Sequence, residues 1–226
     1  MSNNIQAHDD LMIISRQRSR PGGHMAKTVK TASHKVFEAN LERSRAFLRI
    51  FNKDRGRGQP SNDEKELLRG CLVFAVGALD AYLSDLILEI VPEHAPKSKS
   101  LNDALAQIAK ADPGLVLRVS LAATTEDRHE EFRAALSEWL ETKSFQGPEK
   151  VASALGYLGC AISWTDFDFT TGVTSATELR RVTDERHKIV HRGQKPYITR
   201  ELAEKTVTLI ASMATLIDTR VCALYH

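Results

Sequence analysis

The segment ELRRVTDERHKIVHRG, residues 178–193, carries a helical period and ends on a glycine. At about 100° per residue counted from Asp184, Leu179, Val182, Ile189 and Val190 fall within an arc of roughly 140–240°. That spacing predicts a helix from about Ser175 to His191 with this arc turned toward a core, and Gly193 and Pro196 as the stop and turn that follow it. Asp184, His187 and His191 form a polar stripe on the other side, the two imidazoles one turn apart. Arg186 falls near 200°, among the apolar residues. A guanidinium remains charged at any working pH, so on an apolar face it needs a carboxylate, a phosphate ligand or an acceptor-rich interface. Asp80 is a carboxylate the sequence offers, and an Asp80–Arg186 ion pair is the structural expectation.

Working outward, the same period recurs along the chain and no run suggests a sheet. Val36, Phe37, Leu41, Phe47, Leu48 and Phe51 predict a helix over 31–51. Its other face carries Arg43, Arg45 and Arg49. The most apolar stretch, 63–90, reads as the central helix of a bundle, buried on more than one side, with Asn62 as an imperfect cap. Asp80 interrupts its apolar surface, and Ser84 one turn on extends the polar break. Further helices are expected over 101–110, 126–141, 149–158 and 200–224, with a short one at 115–122. The stretch 162–174 holds Trp164, Phe167 and Phe169 without a helical period and reads as a packed loop. Residues 1–33 read as a flexible tail in which Gly23-His24-Met25 resembles a vector junction, leaving 34–226 as one helical domain.

Lys+Arg 31 against Asp+Glu 29 leaves a net charge of +2 in 226 residues, so any polyanion site must be local. The imbalance is uneven: residues 1–60 hold 12 Lys/Arg against 5 Asp/Glu, leaving 19 against 24 for the rest. Asp80 and Asp85 break the longest apolar run, which argues against a membrane span, and the polar, acidic opening MSNNIQAHDD does not resemble a secretion signal. A cytoplasmic location is expected. Cys71, Cys160 and Cys222 are too few and too scattered for a structural zinc site and read as reduced, buried thiols.

His187 and His191 have the i, i+4 spacing of a zinc pair but lack the glutamate of H-E-x-x-H. Lys188 and Arg192 beside them oppose a cation, so neither metal nor cofactor is expected. An imidazole beside a guanidinium suits metal-free RNA cleavage, in which the base takes the 2′-hydroxyl proton and the cation stabilises charge on phosphorus. Lys188, Arg192, Arg43, Arg45 and Arg49 are the candidate phosphate contacts and Tyr197 a candidate base-stacking residue. Asp184, Asp80 and Ser84 are supporting residues. One protomer supplies too little for both acid and base, and a twofold copy would bring a second set. Against this stands a structural reading in which the histidines sit on a solvated helix end and Arg186 in an ion pair.

Arg186-His187-Lys188-Ile189-Val190-His191 resembles the R-x(4)-H signature of the HEPN superfamily, in particular its group associated with RNA ligase and phosphoesterase genes. Leu79-Asp80-Ala81-Tyr82 on the apolar helix, Phe145-Gln146-Gly147-Pro148-Glu149 before a helix, and the long closing helix are similar to that group's pattern over about 35–225. The resemblance implies an all-α bundle of the HEPN type with additional short helices and a basic N-terminal tail. It further implies a homodimer in which Arg186 and His191 of both chains line a cleft and cut RNA without metal, in toxin or antiviral defence systems with an antitoxin or other defence protein as a further partner. His187 departs from the asparagine common at that position, and orienting the scissile phosphate is the role favoured for it. The superfamily also contains non-catalytic binding modules, so an interaction or nucleotide-binding module is the alternative.

Overall fold

The computed structural model describes residues 30–53 and 58–226, and among these it contains nine helices and no strand. They are α1 Ala32–Lys53, α2 Asn62–His94, α3 Lys99–Ala111, α4 Leu115–Leu121, α5 Thr125–Glu141, α6 Pro148–Tyr157, α7 Trp164–Thr171, α8 Ser175–Arg192 and α9 Arg200–Tyr225. Residues 1–29 of the expected tail, and 54–57 of the loop after α1, lie outside the described residues.

The central helix is α2. Cys71, Leu72, Ala75, Val76, Leu79, Leu83, Leu86, Ile87 and Ile90 are fully buried. Apolar residues lie all round this helix because α1, α9, α8, α5 and α6 pack against it from different sides. The same feature makes α2 and α9 long and apolar enough to cross a bilayer by length and composition, despite Asp80 and Asp85. Here much of that apolar surface is turned against other helices.

Three helix starts carry reciprocal capping boxes, in which a hydroxyl takes the N3 amide and the N3 carboxylate takes the cap amide. They are Ser61 with Glu64, Thr124 with Asp127, and Ser163 with Asp166. The first replaces Asn62 as the cap of α2. The third corrects the expected loop at 162–174, because S-W-T-D starts α7 and Gly172 ends it in the left-handed conformation at φ 72°. Only Phe167 of this eight-residue helix is buried, so no apolar stripe announced it.

The start of α1 is held by side chains from other helices. Glu89 of α2 accepts from the amides of Ala32 and Ser33 at 2.9 and 2.8 Å, and Asp218 of α9 accepts from the Thr31 hydroxyl. One turn in, His34 is buried with neither ring nitrogen hydrogen-bonded, packed against Phe37 and edge-on to Tyr82 of α2. Burial lowers its pKa below 6.5; Asp218 and Glu38 oppose that shift and Lys30 adds to it. The folded state thus favours neutral His34 while the unfolded chain binds a proton below pH 6.5, so stability falls as the solution is acidified through that value. A urea midpoint series from pH 7.5 to 5.5 should show a loss of up to about 1.4 kcal/mol per pH unit from this group. His34→Leu should flatten that window, and an unchanged slope would remove His34 as its source.

Cys71 and Cys160 are buried, and burial pushes both thiols up to about 11. The Ser44 hydroxyl of α1 lies 3.3 Å from the Cys71 sulfur and donates to the Cys71 carbonyl at 2.6 Å. Cys222 is only half-buried, contrary to the expectation for all three.

Candidate active site and family membership

Helix α8 is fixed at both ends. At its start the Asp168 carboxylate of α7 accepts from the Ser175 amide at 2.6 Å, a cap supplied from seven residues upstream. Leu179 and Val182 are buried and Ile189 packs half-buried on the core, as the apolar arc predicts, whereas Val190 at the edge of that arc is exposed. At its end Gly193 turns left-handed, φ 58° and ψ 19°, and its amide closes back on the Lys188 carbonyl.

The segment after Gly193 is pinned by Arg69 of α2. This buried guanidinium donates from Nε to the Pro196 carbonyl at 2.9 Å, from Nη2 to the Lys195 carbonyl at 3.1 Å, and from Nη1 to Glu66 at 2.8 Å. Its role went unread in the sequence. The signal was an arginine between Leu68 and Cys71 on the most apolar helix, the same signal that singled out Arg186.

His187 and His191 are exposed on the last two turns of α8, their ring centroids 4.9 Å apart and their planes inclined by 41°. Asp184 is exposed one turn earlier, with no hydrogen bond to either imidazole among the described residues. Lys188 is tied to Glu185 at 2.8 Å. Arg192 is exposed without an ion pair among the described residues, and Tyr197 is exposed just beyond the helix. No group of three or more His, Cys, Asp or Glu converges closely enough to hold a metal ion among the described residues.

Arg186 lies elsewhere. It lines a groove of about 320 Å³ with Asn40 and Arg43 of α1 and with a strip of α2 running from Val73 and Phe74 to Ala81; neither histidine lines it. Its Nε is buried without a hydrogen-bond partner, and no carboxylate pairs with it among the described residues. The expected Asp80–Arg186 ion pair is therefore incorrect. Asp80 instead accepts from the Phe145 amide and from Gln146 Nε2 at 2.6 Å, so it folds the turn before α6 onto α2. The Gln146 carbonyl in turn accepts from the Thr183 hydroxyl of α8 at 2.7 Å. Asp80 thus positions α8 through a turn, three residues before Arg186. Ser84 does not extend this seam; its hydroxyl bonds back to the Asp80 carbonyl within α2 at 3.2 Å.

Asp80→Ala should cost about 2–3 kcal/mol, because the Phe145 amide and the Gln146 side chain lose a charged acceptor. Urea denaturation measures it, and an unchanged midpoint would show that the turn is held by other contacts.

Of the arginines on α1, Arg45 and Arg49 both pair with Glu42, whereas Arg43 has no ion pair among the described residues and faces the groove. The chain thus presents two neighbouring imidazoles on the surface and, off the same helix, a guanidinium without an ion pair among the described residues, in a groove. The first set can exchange protons and the second can hold an anion; within a single chain they do not share one wall.

No curated protein and no solved structure matches the chain. The RiboL-PSP-HEPN family model, however, matches residues 38–223, from the second turn of α1 to the end of α9. That span takes in Asp80 with its turn, Arg186, His187 and His191. The protein therefore belongs to the RiboL-PSP-HEPN family and is a member of the HEPN superfamily.

Proposed function

We propose that the protein is a metal-independent endoribonuclease that acts as a homodimer. The observation that carries this reading is α8 itself, with two adjacent exposed imidazoles near its end and a guanidinium left without a carboxylate. A neutral imidazole removes the proton of a ribose 2′-hydroxyl and the 2′ oxygen attacks phosphorus. The bond from phosphorus to the 5′ oxygen breaks, and an imidazolium returns a proton to the departing oxygen. His191 is the base or acid, His187 orients the phosphate, and Arg186 holds the negative charge that grows on the phosphoryl oxygens. Because Arg186 and His191 do not line one wall of a protomer, the twofold copy supplies the complementary set. The setting is a toxin or antiviral defence system in the cytoplasm, with an antitoxin or other defence protein as regulator.

Incubating the protein with RNA in EDTA tests the chemistry through the ends produced. A 2′,3′-cyclic phosphate and a 5′-hydroxyl are expected. A 5′-phosphate, or cleavage that needs a divalent ion, would overturn the mechanism.

The separation of Arg186 from the histidines also favours a second reading, a non-catalytic interaction or nucleotide-binding module. It predicts that the purified protein leaves RNA intact under every condition.

A further inference from the structure

The groove at Arg186 contains more than the cleavage chemistry uses. Two arginines from different helices, Arg43 and Arg186, face into it, and no carboxylate lines it. Neither is ion-paired among the described residues, although Arg45 and Arg49 on the same helix as Arg43 both found Glu42. Two like charges in one recess, one with a buried, unpartnered Nε, favour a ligand that brings acceptor oxygens.

The rest of the lining says what the anion is attached to. Phe74 is 42 % exposed, unusual for the apolar helix that carries it, and its ring is braced by Phe47 at 5.4 Å. Beside it Gly77 leaves open space, where an added Cβ would meet nothing within 4 Å. Asn40 offers an amide with both donor and acceptor at the rim. An aromatic platform next to cations is the arrangement on which unpaired bases stack. A volume of about 320 Å³ lies at the lower end of small-ligand sites, which run from about 300 to 1,000 Å³.

We infer that this groove is a subsite for one unpaired nucleotide of single-stranded RNA, with its phosphate between Arg43 and Arg186 and its base on Phe74. The inference rests on the RNA-cleavage reading and deepens it by naming the substrate as single-stranded, since a paired base offers no free face to Phe74. The twofold copy of the proposed dimer would bring its own Arg43 and Arg186 near these two, and a phosphate held between the guanidinia offsets that like-charge repulsion.

The test uses the full chain carrying His191→Ala to prevent cutting, with a fluorescent single-stranded RNA and a fully paired, blunt-ended RNA duplex of the same composition as probes. Phe74→Ala, on an exposed side chain, should weaken single-strand binding about tenfold while leaving duplex binding unchanged, and Phe74→Trp should restore it. Gly77→Val should act like Phe74→Ala by filling the base position. Arg43→Ala should weaken both probes and lower the slope of log affinity against log salt by about one. Unaltered single-strand binding in Phe74→Ala and Gly77→Val, or no binding by the parent, overturns the subsite. So does a change from dimer to monomer in sedimentation with RNA affinity unaltered, which would make the groove a protein interface.

Cleavage by the wild-type chain is scored separately. If it cuts RNA and the groove variants bind normally, the subsite alone fails. If it does not cut but binding still depends on Phe74, the nuclease reading fails and the subsite survives.

Discussion

His191→Ala lowers single-turnover RNA cleavage by about 10²–10⁴-fold, the range expected when a positioned proton carrier is removed. The same substitution leaves the thermal midpoint and the oligomeric state where they were, because the imidazole is exposed and its neighbour in space is His187. Rate and fold are therefore separable at this position. His187→Asn tests the division of labour between the two rings. If His187 only orients the phosphate, an amide retains most of the rate and the acidic and basic limbs of the pH–rate profile keep their positions. If it carries a proton, one limb disappears. Cleavage by His191→Ala within threefold of wild type would remove His191 from the chemistry.

Arg186→Met is expected to separate activity from stability in the opposite direction. Losing the guanidinium removes the group that holds charge on phosphorus, and cleavage should fall by about 10²–10³-fold. Stability should stay level or rise by about 1 kcal/mol, since the substitution removes a buried Nε that has no acceptor and puts an unbranched apolar chain beside Ala78 and Ala81. For a chain of this length that corresponds to about 2–4 °C in thermal midpoint. Differential scanning calorimetry beside a cleavage assay reads both. A lower midpoint would show that Arg186 has a stabilising partner after all. Arg186→Lys should recover little of the rate, because an ammonium lacks the planar fork that spans two phosphoryl oxygens.

The outline of the bundle was legible because a buried helix writes its period into its residues. The expected bounds of α1, α3, α5, α6, α8 and α9 agree with the structure to within about one turn. Helix α7 was missed because a short helix resting on one buried phenylalanine has no stripe, and its capping box and closing Gly172 were the local signs. At the site, angular position identified Arg186 as an exception on α8, and the turn 145–149 and Asp80 were both singled out. The link between them was misassigned. Helical spacing says which way a side chain points but not which distant segment arrives to meet it, and Asp80 is occupied by Phe145 and Gln146 rather than by α8. Phe74 lies within the 63–90 stretch that reads as a helix buried on more than one side. Its place on an apolar helix gave no sign that its side of α2 would be left open between α1 and α8.

The Cys71 thiol, shielded between α1 and α2 beside Ser44, makes the protein its own reporter of opening. An alkylating dye needs a thiolate and a path to it, and in the closed bundle this cysteine offers neither. Modification of the Cys71 peptide, followed by mass spectrometry, therefore counts the moments when the helices around it part. The same vial can be sampled for cut RNA, so breathing of the scaffold and turnover are timed against each other in one sample.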